Sequence, residues 1–330
     1  MKAMSRFILV GLLFAWCVDV AAAQQARDFP KRPIRVITTV SPGAAQDVLA
    51  RALSEPFRAR TGQGFVVENR VGGGVAQTVG VTACRSADPD GYTLCVLTQN
   101  PVTIAPGLYK NLGYDPLKAL EPVTMLAQQQ QALIVSGDLP VKTFAELVAY
   151  SKKNPGKLNY GSIGPGTDSH LIFEWLKKVS GGDWTHVPFT GLGPILQAVA
   201  TGQVHMFQLT IGGPLLAQIR EGKLKALMVP MSTRSPLLPD VPTYAESGLP
   251  NVDRFSWTGL FAPAGTPKAV IDRLSKDILE ITGDKQFQDR FLLPLGFKPM
   301  PWTADEFKAY LPKDAAVQKT AIDAAGISLD

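Results

Sequence analysis

Leu158-Asn159-Tyr160-Gly161-Ser162-Ile163-Gly164-Pro165-Gly166-Thr167-Asp168-Ser169-His170 is a short apolar strand, a glycine-punctuated loop and the opening of an amphipathic run. That order aims unpaired backbone N–H groups and the positive end of a helix dipole at one point, which suits a carboxylate or phosphate. Ile34 to Val40, then Ser41-Pro42-Gly43-Ala44-Ala45-Gln46-Asp47, then Val48 to Phe57 repeats the plan. Two such cradles in two halves of one chain suggest a single ligand held between them.

Outward from these loops the pattern is α/β. Ile34 to Val40 is a β-branched run without polar alternation, as in a strand of a parallel sheet. The helix after it carries Val48, Leu49, Ala52, Leu53 and Phe57 on one side, with Pro56 bending or ending it and Gly62 closing it. A strand at 65–68, a helix around 75–83 and a strand at 92–97 complete a βαβαβ unit. A second alternating set follows, with strands at 133–136, 158–162, 185–187, 203–209 and 225–231. Thr143-Phe144-Ala145-Glu146 and Thr303-Ala304-Asp305-Glu306 read as capping boxes. Thr266-Pro267 opens a helix with a capping hydroxyl, and Ile271, Leu274, Ile278 and Ile281 follow at helical spacing. The expectation is two doubly wound α/β domains: 24–127 with 256–330, and 128–255.

At 330 residues, 45% hydrophobic and 18% charged, the chain has the composition of a globular protein with a real core. The net charge of +5 is spread without a basic run or a basic aromatic helix, so nucleic acid is not expected as a partner. Residues 1–23 read as a secretory signal, with Lys2 and Arg6, the apolar Phe7 to Val18, and Ala21-Ala22-Ala23 for cleavage near Ala23. Trp16 before Cys17 argues against a lipoprotein. Export leaves Cys84 and Cys95, which an oxidising compartment lets pair across the Asp88-Pro89-Asp90-Gly91 turn; two buried thiols are the alternative.

Few groups point to catalysis. Ser162 in Gly161-Ser162-Ile163-Gly164 is one glycine short of a nucleophile elbow, and no pattern sets His170, His186 or His205 as its base. His170 reads as capping or packing, the other two as core histidines. An exported serine hydrolase using Ser162 is the enzymatic alternative. No metal motif is present, and neither cradle completes a nucleotide fingerprint, so no metal or cofactor is expected.

The chain closely resembles the periplasmic solute receptors of tripartite tricarboxylate transporters, the TctC or Bug family. The resemblance rests on Lys31 to Ile37, Pro42-Gly43, Asp47, Val67-Glu68-Asn69-Arg70, Asp88 to Leu94, Ser162 to His170, His186-Val187-Pro188-Phe189, Leu238 to Thr243 and Phe261 to Pro267, in order along nearly the whole mature chain. It implies a monomeric periplasmic clamshell, not an enzyme, that closes on a small carboxylate and hands it to a membrane permease; a receptor feeding a sensor is a variant of this. One carboxylate end would be held by Ser162, Gly164, Pro165, Gly166 and Thr167, the other by Ser41, Gly43, Ala44, Ala45 and Gln46. Two departures stand out. Ala44 replaces a usual second glycine, and Gln203-Val204-His205 with Phe207-Gln208 stand where the family commonly reads Gln-Val-Asp and Phe-Asp. Gln208 in place of an acid favours a di- or aromatic carboxylate over an amino acid.

Overall fold

The computed structural model describes residues 28–250 and 256–329. The signal-like segment 1–23, with Cys17, lies outside these residues, as do residues 251–255, on which the expected boundary near 255 falls.

In the first lobe β1 (Ile34–Thr38) pairs in parallel with β2 (Phe65–Asn69) and β3 (Thr93–Thr98), with Val36 opposite Val67 and Leu94. Between β1 and β2 lie α1 (Ala45–Ala52) and α2 (Ser54–Thr61), two helices where the sequence predicts one. The break is at Leu53 rather than at Pro56. A proline ring clashes with the carbonyl four residues back but is harmless in a first turn, so the chain restarts its helix and seats Pro56 there. Gly62, at φ +80°, closes α2 as expected. α3 (Thr78–Arg85) returns the chain to β3, and Cys84 and Cys95 are joined as a disulfide with Cα atoms 6.2 Å apart.

The sheet is completed by β4 (Leu120–Gln129), β10 (Ser256–Pro263) and β11 (Phe297–Trp302), giving the order β11-β4-β10-β3-β1-β2. Side-chain alternation divides its core in two. Ile34, Val36, Leu94 and Leu260 pack on α1, α2 and α8 (Lys268–Gly283), through Leu49, Phe57, Ile271, Leu274, Ile278 and Ile281. Ile37, Cys95, Leu97 and Met125 face the other way, against Val81 and against Phe307 and Leu311 of α9 (Ala304–Ala325). Thr266 does not cap α8; its hydroxyl donates to the carbonyl of Pro263 (2.8 Å) and Pro267 occupies the cap. Thr303 and Glu306 do form the reciprocal box at α9. At Thr143 only half of the box forms, because the Glu146 carboxylate accepts from the N–H of Lys142 instead.

The second sheet contains β5 (Gln131–Ser136), β6 (Asn159–Ser162), β7 (Thr185–Pro188), β8 (Met206–Thr210) and β9 (Leu224–Met228), in the order β7-β6-β8-β5-β9. α4 (Phe144–Lys153) and α5 (Asp168–Ser180) cover one face, α6 (Leu192–Ala200) and α7 (Gly213–Arg220) the other.

The two sheets meet at Gln130, between β4 and β5. Its N–H donates to the carbonyl of Gly296 (2.8 Å) in the first lobe, and its carbonyl accepts from the N–H of Ile211 (2.7 Å) in the second. Here Gly212 and Gly296 press backbone on backbone: a Cβ at Gly296 would lie 2.3 Å from the carbonyl oxygen of Ile211, and one at Gly212 2.6 Å from the carbonyl carbon of Leu295. Only glycine permits that approach.

Candidate functional site

The loop after β6 is shaped by Gly164 and Gly166, at φ +122° and +72°, conformations that L side chains resist. The turn tucks Ser162 and Thr167 inward, 0% and 5% exposed, at the start of α5. The N–H groups that the sequence leads one to expect unpaired here have acceptors within the protein, because the tight turn folds its own side chains back onto most of them. Ile163 donates to Ser169 Oγ (3.1 Å), Gly164 to Ser162 Oγ (3.1 Å), Gly166 to His170 Nδ1 (3.0 Å) and Thr167 to the Gly164 carbonyl (3.4 Å). The N–H of Asp168 donates to Asn100 Oδ1 (3.3 Å), just beyond β3, so the opening of α5 is tied to the first lobe. These acceptors are neutral. An anion such as a carboxylate, placed at this turn, would compete with them through charge-assisted bonds, which are about twice as strong.

Beneath the loop lie stacked rings. His170 and His186 have centroids 3.9 Å apart, and Tyr160 stacks on His186 at 5.0 Å while donating its hydroxyl to Glu174 (2.7 Å). His186 Nε2 is 2.6 Å from Ser162 Oγ. Sequence reasoning placed no histidine beside that serine; parallel pairing of β6 with β7 does, across 24 residues. His205 instead accepts the N–H of Asn159 at Nδ1 (3.1 Å).

Burial pushes both stacked imidazoles down to about 4; for His186 the neighbouring His170 adds to this and Glu174 opposes it. Unfolded, each titrates near its usual value of about 6.5, so between the two values the unfolded chain holds more protons. Stability is therefore full above about pH 6.5, declines as the pH falls, and has lost this contribution near pH 4. The melting temperature of the wild type should fall more steeply across that window than that of His186→Gln. Parallel curves would refute the coupling.

The first loop is more open. Ser41 and Gly43 are exposed, and Ala44, Ala45 and Gln46 half-buried. The positive φ, +82°, belongs to Gly43, whereas Ala44 sits at φ −66°, ψ 155°, a conformation alanine adopts freely, so losing the second glycine costs this loop nothing. Asp47 underpins it, accepting from the N–H of Gly43 (2.9 Å), from Asn69 (2.9 Å) and from Arg51 (3.1 Å). Burial alone would raise this carboxyl's pKa, but the bonds from Arg51, Gly43 and Asn69 outweigh it and hold the value below the usual range.

Gln208 is buried and lines a small pocket between the lobes together with Gln99, Gln131, Asp168, Ser256 and Gln318. Its amide is oriented by Tyr244, whose hydroxyl donates to Oε1, and donates from Nε2 to Gln131 Oε1 (3.2 Å). Gln131 Nε2 donates to Ser256 Oγ (2.8 Å) and Asp168 Oδ2 (3.2 Å), and Ser256 donates to the same carboxylate oxygen (2.5 Å). Among the sequence candidates only Gln208 belongs to this group. The available signal for Gln131 was Gln128-Gln129-Gln130-Gln131, four amides between two apolar runs.

The model of the tripartite tricarboxylate transporter family receptor matches residues 49–327. A UPF0065 protein of Bordetella pertussis is 35% identical over 269 residues, 82% of this chain and 80% of that protein. Among solved structures, the periplasmic binding protein BugD superposes with TM-score 0.78 at 32% identity, covering 91% of this chain and 99% of that one. MatC from Rhodopseudomonas palustris with bound malate gives 0.78 at 31%, covering 89% and 100%. An R. palustris protein with adipate gives 0.80 at 28%, covering 91% and 99%. The fold is that of these two-lobed binding proteins. Ser162, fully buried, thus belongs to a receptor scaffold and not to a hydrolase: the chain is a member of the tripartite tricarboxylate transporter receptor family, whose proteins bind solutes and are not enzymes.

Proposed function

We propose that the mature protein captures a small carboxylate, dicarboxylic or aromatic, in the periplasm and delivers it to the membrane permease of a tripartite transporter. The lobes 24–127 with 256–330, and 128–255, close on it as a hinge. One carboxylate sits at the start of α5 on Ser162, Gly164, Pro165, Gly166 and Thr167; the far end meets Ser41 and Gly43 to Gln46, with Gln208 at the hinge side. The observation that carries this reading is the helix start itself, where two positive-φ glycines set two buried hydroxyls beside backbone N–H groups. Malate in MatC and adipate in the R. palustris protein support the carboxylate class.

A thermal-shift screen against mono-, di- and tricarboxylates and aromatic acids, followed by calorimetry, identifies the ligand, since a molecule bound only by the native state raises the melting temperature. In the double variant Ser162→Ala/Thr167→Ala that ligand should bind about a hundredfold more weakly, because a hydrogen bond to a charged group contributes about 1.5–3 kcal/mol. Unchanged affinity in a folded double variant moves the site elsewhere.

A further inference from the structure

The small pocket at the hinge has an unequal complement of donors and acceptors. Ser256 has one hydroxyl hydrogen, given to Asp168 (2.5 Å), so Gln99 can approach Ser256 Oγ (3.2 Å) only with its amide N–H. That fixes the orientation of Gln99 and leaves its Oε1, on a side chain 2% exposed, buried without a partner. The amides of Gln131 and Gln208 are likewise ordered by Tyr244, so their N–H groups run toward the Asp168 carboxylate. The buried atom of the pocket lining that is left without a partner is therefore an acceptor, the Gln99 amide oxygen of the first lobe, and Asp168 lines the same pocket from the second. An unsatisfied buried acceptor is costly, and a donor that reaches it removes the cost. Asp168 directly follows Thr167, so the pocket adjoins the carboxylate cradle.

Resting on the carboxylate reading above, we propose that the ligand carries a hydrogen-bond donor beside its carboxylate, a hydroxyl or an ammonium, which enters this pocket between Gln99 Oε1 and Asp168. Because the two acceptors belong to different lobes, the donor links them and favours the closed form.

The test is calorimetry on the mature protein with succinate, glutarate, adipate and benzoate, each beside its 2-hydroxy and 2-amino analogue. In the series that binds, at least one donor-bearing analogue should bind about tenfold or more tightly than its parent. Gln99→Met and Asp168→Asn should each bring that ratio toward one in protein whose melting curve shows it folded. A gain confined to the amino compound assigns an ammonium; a gain for both assigns a hydroxyl-type donor. Equal binding of parent and analogues, or a ratio that both variants leave intact, overturns the inference while the carboxylate reading stands. No binding by any of them, in protein freed of co-purified ligand, overturns both.

Discussion

Replacing Asp314 by leucine is expected to destabilise the protein by about 3–5 kcal/mol, because several buried donors lose their acceptor together. The carboxylate, 3% exposed, accepts from Trp257 Nε1 (2.8 Å), Thr103 Oγ1 (2.6 Å) and Gln318 Nε2 (3.0 Å), and each of those residues is itself at most 2% exposed. Trp257 lies on β10, Thr103 follows β3, and Gln318 is one turn along α9, so this one carboxylate fastens the last helix to the first lobe. Urea unfolding of Asp314→Leu and of Trp257→Phe gives the comparison. The phenylalanine variant should lose less, since it removes a donor together with its need for a partner. A loss below about 1 kcal/mol in Asp314→Leu would show that the network adds little beyond packing.

Gly296→Ala is expected to be as severe, by a different cause. The residue lies at φ +75°, and its new Cβ would fall 2.3 Å from a backbone oxygen of the other lobe. A flexible side chain could turn away, but the Ile211 carbonyl is anchored in backbone beside Gln130. Relief requires separation of the lobes at that point, at a cost of about 3–5 kcal/mol. The melting temperature should fall, the radius of gyration by small-angle scattering should rise, and ligand affinity should drop. A variant with wild-type scattering and wild-type affinity would show that the contact yields locally.

The fold was legible wherever a single physical signal dominated. The β-branched run at Ile34 marked a strand, the three-and-four spacing of Ile271, Leu274, Ile278 and Ile281 marked a helix, and Gly62 marked an end; all three hold. β11 was not legible, since Pro299 and Pro301 break ladders in most strands. At the edge of the sheet, next to β4 alone, they are tolerated. Nor could local sequence show that the hydroxyl of Thr266 would turn back to Pro263. The second loop was legible as glycine-shaped, because positive φ demands glycine. Its hydrogen-bond partners were not, because Ser162 meets His186 and Asp168 meets Asn100 only through the pairing of strands and lobes.

The crossing at Gln130 has one more consequence. Its own side chains are amides and hydroxyls: Gln129 bonds to Thr258 (3.1 Å) and Thr210 (3.0 Å), and Gln130 to Ser235 (2.6 Å). None of these groups gains or loses a proton between mild acid and mild base. The loop after β6 rests instead over two histidines, whose burial holds their titration down to about 4. The joint between the lobes therefore keeps its hydrogen bonds through the acid range in which the two imidazoles gain charge, so acid acts on the second lobe and leaves the crossing itself unaltered.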